Sequence, residues 1–366
     1  MDTASLAEIW DRLSAAAASG PARVERRMVN RLRWDVPTFA EAPLIRPDDA
    51  AGYDAVFYGI GHEGFLCRDP RSYLPPHAGP APNEDVYTRT GGYAGPAGIR
   101  RGSIFYSFDH TGGRMLDRGG LTIADRIAVA DAGDARIGEE PAERLLEWVP
   151  DEVAKIVSAG AVPMVLGGDH FTPAFSLEGL WRARPQKVGI LCFDGHLDLS
   201  WGPVGWEGSQ WAYAMRLGIL DPRNLAIIGV RGVRNTMLWE SLCHELGIAY
   251  YTVEEVDRRG IAAVTADAME RVLDGPESLY LSIDVDALDP TAVPAQRHPE
   301  AGGLTVREVL SSIRQALTPD VTLAGCDFVD LAPQYDHQNH GCVGAARILL
   351  EVLAALAEQR GTGAPA

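Results

Sequence analysis

Short apolar runs, most closing on a glycine, an acid or both, recur along the chain. They are AVFYGIG (55–61), IAVADAG (127–133), VPMVLGG (162–168), VGILCFD (188–194), LAIIGV (225–230), IAYYTV (248–253), LYLSIDVD (279–286) and LAGCDFVDL (323–331). Runs this short and this continuously apolar predict strands buried on both faces, the habit of parallel sheets. Helical spacing fills most of the gaps, at 143–159, 172–183, 210–217, 236–246, 262–273, 305–317 and 344–359. Thr305 stands three residues before Glu308, a capping-box pattern that predicts where one helix starts. Strands alternating with amphipathic helices predict an α/β fold, with a mostly parallel central sheet covered on both sides.

Two regions depart from this rhythm. Residues 1–50 read as an N-terminal extension, with helical spacing at 6–17 followed by a basic stretch and the linker-like APLIRPDDAAGYD. Residues 62–103 are rich in Gly and Pro, carry Tyr73, Tyr87 and Tyr93, and show little periodicity. So long a stretch without pattern predicts a functional loop walling a site. The folded domain is expected over 51–361, with a flexible tail at 362–366.

Composition narrows the function. A chain of 366 residues, 46% hydrophobic and 23% charged, can bury a sizeable core, which excludes general disorder, collagen and a disulfide scaffold. A net charge of −17 argues against nucleic acid or an anionic membrane as partner. Five scattered cysteines without a Cys-x-x-Cys pair predict a reducing, cytoplasmic setting. The opening MDTASLAEIWDRL has no basic segment leading into an apolar run, so no signal peptide is expected. No uninterrupted apolar stretch nears ~18 residues, so no membrane span is expected either.

The candidate chemistry gathers where strands end: GGDH (167–170), DGHLD (194–198) and SIDVD (282–286). The carboxyl ends of strands are where open parallel sheets collect ligands. Asp194, His196 and Asp198 alternate, so in an extended strand they share one face, and Asp284 and Asp286 have the same spacing. With His170 they bring four carboxylates and two imidazoles together. Four acids so close cannot all ionise unaided; a pair of cations bridged by carboxylates removes the conflict. Mixed imidazole and carboxylate ligands suit Mn, Ni, Zn or Fe better than Mg or Ca. A two-magnesium phosphoryl-transfer site fits poorly, because no G-x-x-x-x-G-K-S/T loop is present.

GGDH, D-x-H-x-D and S-x-D-x-D-x-x-D-P, in this order, resemble the ureohydrolase family of arginases and agmatinases. GPAGIRRGS (95–103), DAGD (131–134) and AGGLT (301–305) resemble further family segments, so the likeness spans about residues 52–358. The resemblance implies a three-layer α/β/α arginase-like fold and hydrolysis of a guanidino group to urea and an amine. Carried over position by position, one metal would take His170, Asp194, Asp198 and Asp284, and the other His196, Asp194, Asp284 and Asp286. Asp198 would orient the attacking water. Manganese is the family's usual metal and nickel serves some members acting on guanidine or biguanides, so two Mn2+ or Ni2+ ions are expected.

Three departures bear on the substrate. Where the family carries a proton-shuttling His-Gly-Ser/Thr, this chain reads Glu207-Gly208-Ser209. A carboxylate could do that work if burial raised its pKa. The guanidinium-gripping glutamate of V-E-x-x-P is here Asp330, one methylene shorter. PAQRHPEAGG (294–303) stands where agmatinase-like members read PGTGTPEPGG, so His298 matches a threonine lining the substrate channel, and Gln296 and Arg297 add bulk and charge that disfavour a long cationic tail. Trp201 and Trp206 follow the metal-binding strand and are candidates to narrow the pocket.

The expected activity is therefore a dinuclear amidinohydrolase acting on a small cationic guanidino or biguanide compound, of the guanidine or metformin type. An agmatinase or guanidinobutyrase-type enzyme is the alternative, as is a non-catalytic subunit of a heteromer. The expected assembly is a trimer or hexamer, with a paralogous subunit as one arrangement.

Overall fold

The computed structural model describes residues 38–64, 89–138, 141–202 and 204–360. The helix expected at 6–17, residues 65–88 of the Gly/Pro-rich stretch and the tail at 362–366 lie outside the described residues.

All eight expected strands form one sheet: β1 (Ala55–Ile60), β2 (Val129–Asp134), β3 (Val162–Gly167), β4 (Gly189–Phe193), β5 (Leu225–Val230), β6 (Ala249–Thr252), β7 (Ser278–Asp284) and β8 (Thr322–Val329). The spatial order is β2-β1-β3-β8-β7-β4-β5-β6, and every neighbouring pair is parallel. Chain order and spatial order part company at the centre. β3 and β4 follow one another in sequence, yet β8 and β7 lie between them. The carboxyl ends of β3, β8, β7 and β4 therefore form one continuous strip, the kind of switch point at which such sheets hold ligands.

Side-chain alternation divides the core into two layers. Phe57, Leu191, Phe193, Ile228 and Ile283 face one side. They meet α1 (Gly95–Ser103), α6 (Val253–Arg259), α7 (Ile261–Val272), α8 (Val306–Ala316) and α9 (His340–Gln359). Val56, Tyr58, Ile190, Cys192 and Ile227 face the other. There they meet α2 (Val149–Ser158), α3 (Thr172–Ala183), α4 (Gln210–Arg216) and α5 (Met237–Leu246). The result is the expected three layers. α9 is long and apolar enough to cross a membrane, but 78% of its most apolar window is buried inside the protein, as in a core helix.

Local chemistry explains the helix boundaries and where expectation fails. Thr305 accepts from the Glu308 N–H while the Glu308 carboxylate accepts from the Thr305 N–H, so the capping box forms. The segment 143–159 is not one helix: Trp148 leaves helical geometry, and α2 restarts with Pro150 in its first turn. Residues 95–103 form α1 rather than loop. Its glycines let it pack tightly against the start of α9: a Cβ on Gly102 would lie 2.3 Å from the Cys342 carbonyl oxygen. Residues 38–50 are tied to the sheet, with Phe39 stacked on Phe57 at 3.9 Å between centroids and its N–H donated to Asp131. Cys192, Cys243, Cys326 and Cys342 are buried free thiols.

Candidate metal centre

The strip of strand ends gathers six side chains, of which His170, His196, Asp198, Asp284 and Asp286 line one cavity of about 300 Å³ and Asp194 lies buried among them. His170 enters just beyond β3, Asp194 just beyond β4, and Asp284 closes β7. His170 Nδ1 lies 3.0 Å from Asp194 Oδ2, 2.9 Å from Asp198 Oδ2 and 3.0 Å from Asp284 Oδ2. His196 Nδ1 lies 3.0 Å from Asp286 Oδ2 and 3.7 Å from Asp194 Oδ1. Local turns hold these groups still. Asp194 Oδ1 accepts from the His196 N–H, Asp284 Oδ1 from the Asp286 N–H, and Asp286 Oδ1 from the Gly195 N–H. Asp198 takes a left-handed backbone (φ 49°), and its Oδ2 accepts from Gln210 Nε2 at 3.1 Å.

The donor set asks for cations. His170 Nδ1 faces three carboxylate oxygens yet completes a hydrogen bond with none, and Asp194 Oδ2 is equally unsatisfied though buried. Buried atoms in that position cost free energy unless something else satisfies them. Burial raises Asp194 to about 8, with the neighbouring Asp198 and Asp286 charges adding to the rise. Burial and the Asp286 and Asp330 charges likewise push Asp284 far up. For Asp286, burial raises the pKa, but His196 outweighs it and holds the carboxyl at about 2. Acids crowded in this way, with His170 and His196 beside them, fit a site for divalent cations.

An outer layer orients the first imidazole. His170 Nε2 lies 3.4 Å from Ser282 Oγ, which donates to Asp327 Oδ1 at 2.8 Å, and Tyr280 OH donates to Asp327 Oδ2 at 2.6 Å. Burial raises Asp327 to about 6, against the pull of these hydrogen bonds and of His170. Such support fixes ring orientation in metal sites. Ser282 sits two residues before Asp284 on the same strand face, and Asp327 is an acid inside an otherwise apolar run. Those signals were present in the sequence, although neither residue was expected at the site.

A second cluster walls the cavity. The Arg297 side chain is wholly buried; its Nη1 donates to Asp330 Oδ1 at 2.7 Å and to Glu207, and its Nε donates to the Arg89 carbonyl at 3.1 Å and lies 3.3 Å from Glu63. His298 bridges the same acids, with Nδ1 2.8 Å from Asp330 Oδ2 and Nε2 3.3 Å from Glu207 Oε1. Asp330, like Asp198, has a positive φ (63°). His298, Asp330, Glu207 and Trp206 all line the cavity.

Three expectations are corrected here. Burial does favour a protonated Glu207, but Arg297 and His298 outweigh it and hold the carboxyl well below its usual range, the opposite of what a proton shuttle requires. Gln296 and Arg297 do not line the cavity; they are buried, and Gln296 Nε2 donates to the Val285 and Leu288 carbonyls behind the β7 turn. Trp201 is exposed, with the Arg216 guanidinium over its ring, and the second indole at the cavity is Trp239.

Comparison with known proteins places this geometry. The sequence profile of the arginase family matches residues 80–355. The mitochondrial agmatinase of Gallus gallus is 27% identical over 365 residues, 96% of each chain. The guanidinopropionase of Pseudomonas aeruginosa is 31% identical over 238 residues, 64% of this chain and 73% of that protein. The crystal structure of a hypothetical agmatinase from Burkholderia thailandensis superposes with a TM-score of 0.73 at 24% identity, covering 88% of this chain and 91% of the other.

Proposed function

The chain belongs to the arginase family, hydrolases of C–N bonds in linear amidines, and on that premise we propose that it splits a small guanidino compound into urea and an amine. The observation that carries this reading is the meeting of four carboxylates and two imidazoles at the strand ends, all but Asp194 lining one cavity, with His170 Nδ1 about equally distant from three of the acids.

Two divalent ions held by His170, Asp194, His196, Asp198, Asp284 and Asp286 would supply a strongly acidified water as nucleophile at neutral pH. The remaining steps fall to the chain's own groups. Asp198, fixed by Gln210 and its left-handed backbone, can accept a hydrogen bond from the nucleophile and orient it. Burial lowers the His298 pKa, but the Glu207 and Asp330 carboxylates more than reverse that, which favours the charged imidazole. His298 lines the cavity, with Nε2 3.3 Å from Glu207 Oε1, and on this reading it is the group that hands a proton to the leaving nitrogen. Glu207 thus serves by holding a charged imidazole beside the reacting atoms. Trp206 and Trp239 wall the space and limit its water.

Both Asp330 oxygens are already engaged, by Arg297 and His298, so a substrate guanidinium must share this carboxylate rather than own it. That supports a compact guanidine such as guanidine or metformin. The names of the agmatinase and guanidinopropionase relatives support a tailed one at least as well. The test is urea release by the purified chain, loaded separately with Mn2+ and Ni2+, on guanidine, metformin, agmatine, guanidinobutyrate and arginine. Turnover of any one supports the proposal. Two bound metals with no urea from any of them overturns it for the isolated chain, and a trimer or hexamer, alone or with a paralogous subunit, would be sought by light scattering on the same sample.

A further inference from the structure

The charges around the cavity do not cancel evenly, and the remainder points to one kind of substrate tail. With two divalent ions in place, the four ligand carboxylates are balanced. Glu207 and Asp330 each contact Arg297 and His298, so both of these lining acids are already paired, while Glu63, the third acid beside Arg297, accepts from the Gly91 and Tyr93 N–H groups and does not line the cavity. One charged side chain lining the cavity has no such partner. Arg234 lies in the loop between β5 and α5 and is exposed, at the open side of a cavity whose floor is buried. Among the described residues it makes no hydrogen bond or ion pair. Arg231, three residues earlier, shows the contrast: its guanidinium is spent on the Gly229, Asp286 and Glu300 carbonyls.

We propose that Arg234 selects the substrate by its far end: the guanidino group reaches the metal floor between Trp206 and Trp239, while an anionic tail, a carboxylate, pairs with the Arg234 guanidinium at the rim. A guanidinium fork matches a carboxylate in two parallel hydrogen bonds, so charge and geometry both favour that group. A cationic tail would instead meet Arg234 head-on, with Glu207 and Asp330 already paired and unable to compensate. The inference rests on the ureohydrolase reading above and narrows it to ω-guanidino acids.

The experiment compares three compounds that each carry a four-carbon chain on the guanidino nitrogen: 4-guanidinobutyrate (anionic tail), butylguanidine (neutral) and agmatine (cationic). Urea release gives kcat/KM for wild type, Arg234→Gln and Arg234→Glu, and calorimetry gives their binding to the metal-loaded proteins. Wild type should prefer the anionic over the cationic tail by about tenfold or more, since a hydrogen-bonded charge pair gives that much discrimination. Arg234→Gln should cut the anionic-to-neutral ratio by about tenfold, chiefly through KM, and Arg234→Glu should turn the preference toward agmatine. An unchanged ratio in both variants, or a wild-type preference for agmatine, overturns the assignment. Urea from none of the three would count against the underlying reaction, while the binding preference would still decide the role of Arg234.

Discussion

Replacing Arg297 with methionine tests the ion network beside the metal floor directly. Methionine keeps most of the stem and removes only the guanidinium, so little cavity is created. What is lost is the buried charge that pairs with Glu207, with Asp330 at 2.7 Å and with Glu63 at 3.3 Å, together with the bond to the Arg89 carbonyl. Removing one partner of a buried ion pair typically costs about 3–5 kcal/mol. At roughly 2 °C per kcal/mol for a domain of this size, the midpoint of thermal unfolding should fall by roughly 6–10 °C. The pH dependence has a definite sign. For both acids burial works upward, yet Arg297 and His298 hold Asp330 at about 2 and Glu207 well below the ordinary 4.5. Groups depressed in this way stabilise the fold above their unfolded pKa values and lose that contribution as pH falls through the folded ones. The gap between wild type and Arg297→Met should therefore be full at pH 6–8 and narrow below about pH 4.5. Calorimetry of the metal-loaded proteins across that range is the assay, with Arg297→Lys, which keeps the charge but not the fork, falling between. A change under about 2 °C, or a gap that widens toward acid, would refute the reasoning.

Chelation is expected to lower the unfolding midpoint by about 16 °C, because each of two ions at a thousandfold excess over its Kd adds about 4 kcal/mol; mass spectrometry of the loaded protein should count two metals per chain. His298→Asn should reduce kcat by about 10²–10³ with both metals retained, and a kcat within threefold of wild type would remove His298 from the proton pathway. Glu351, buried on α9, holds Arg314 at 2.6 Å, Arg347 at 2.8 Å and Arg118 at 3.3 Å. Burial raises its pKa, but Arg314 and Arg347 win and keep it below its usual value. Glu351→Gln should cost about 1–3 kcal/mol at neutral pH, less than a fully buried pair because Arg314 is partly solvated, with the loss shrinking below about pH 4.5. A Glu351→Gln penalty independent of pH would argue that packing rather than charge is at work.

The sheet was legible because its strands are buried on both faces, which leaves continuous apolar runs that no surface pattern imitates. Two helices were not, for different reasons. α1 is written GPAGIRRGS, a poor helix by intrinsic preference. It forms because Gly98 and Gly102 allow the approach to Pro333 and Cys342 that any Cβ would block. α6 is short, follows β6 without a loop, and depends on Thr252 accepting from the Glu255 N–H. Tertiary contact decides the first, and a single cap decides the second.

The same division runs through the site. The metal-directed residues could be read from spacing because each group of them sits within five residues of one strand end, where alternation sets direction. The Arg297 network could not, since Glu207 and Arg297 are 90 residues apart in sequence and Asp330 a further 33 beyond Arg297. Only the strand order, with β8 inserted between β3 and β7, brings the Asp330 turn beside the other two. The sequence shows the acid at 207 but not its counter-charge, and the counter-charge sets the chemistry. An isolated buried glutamate would ionise reluctantly and could shuttle protons, whereas one paired to a buried guanidinium stays charged and can only hold its neighbour's proton in place. On the proposed mechanism the proton donor is therefore His298, from another loop, and Glu207 is its partner, 3.3 Å from the His298 Nε2.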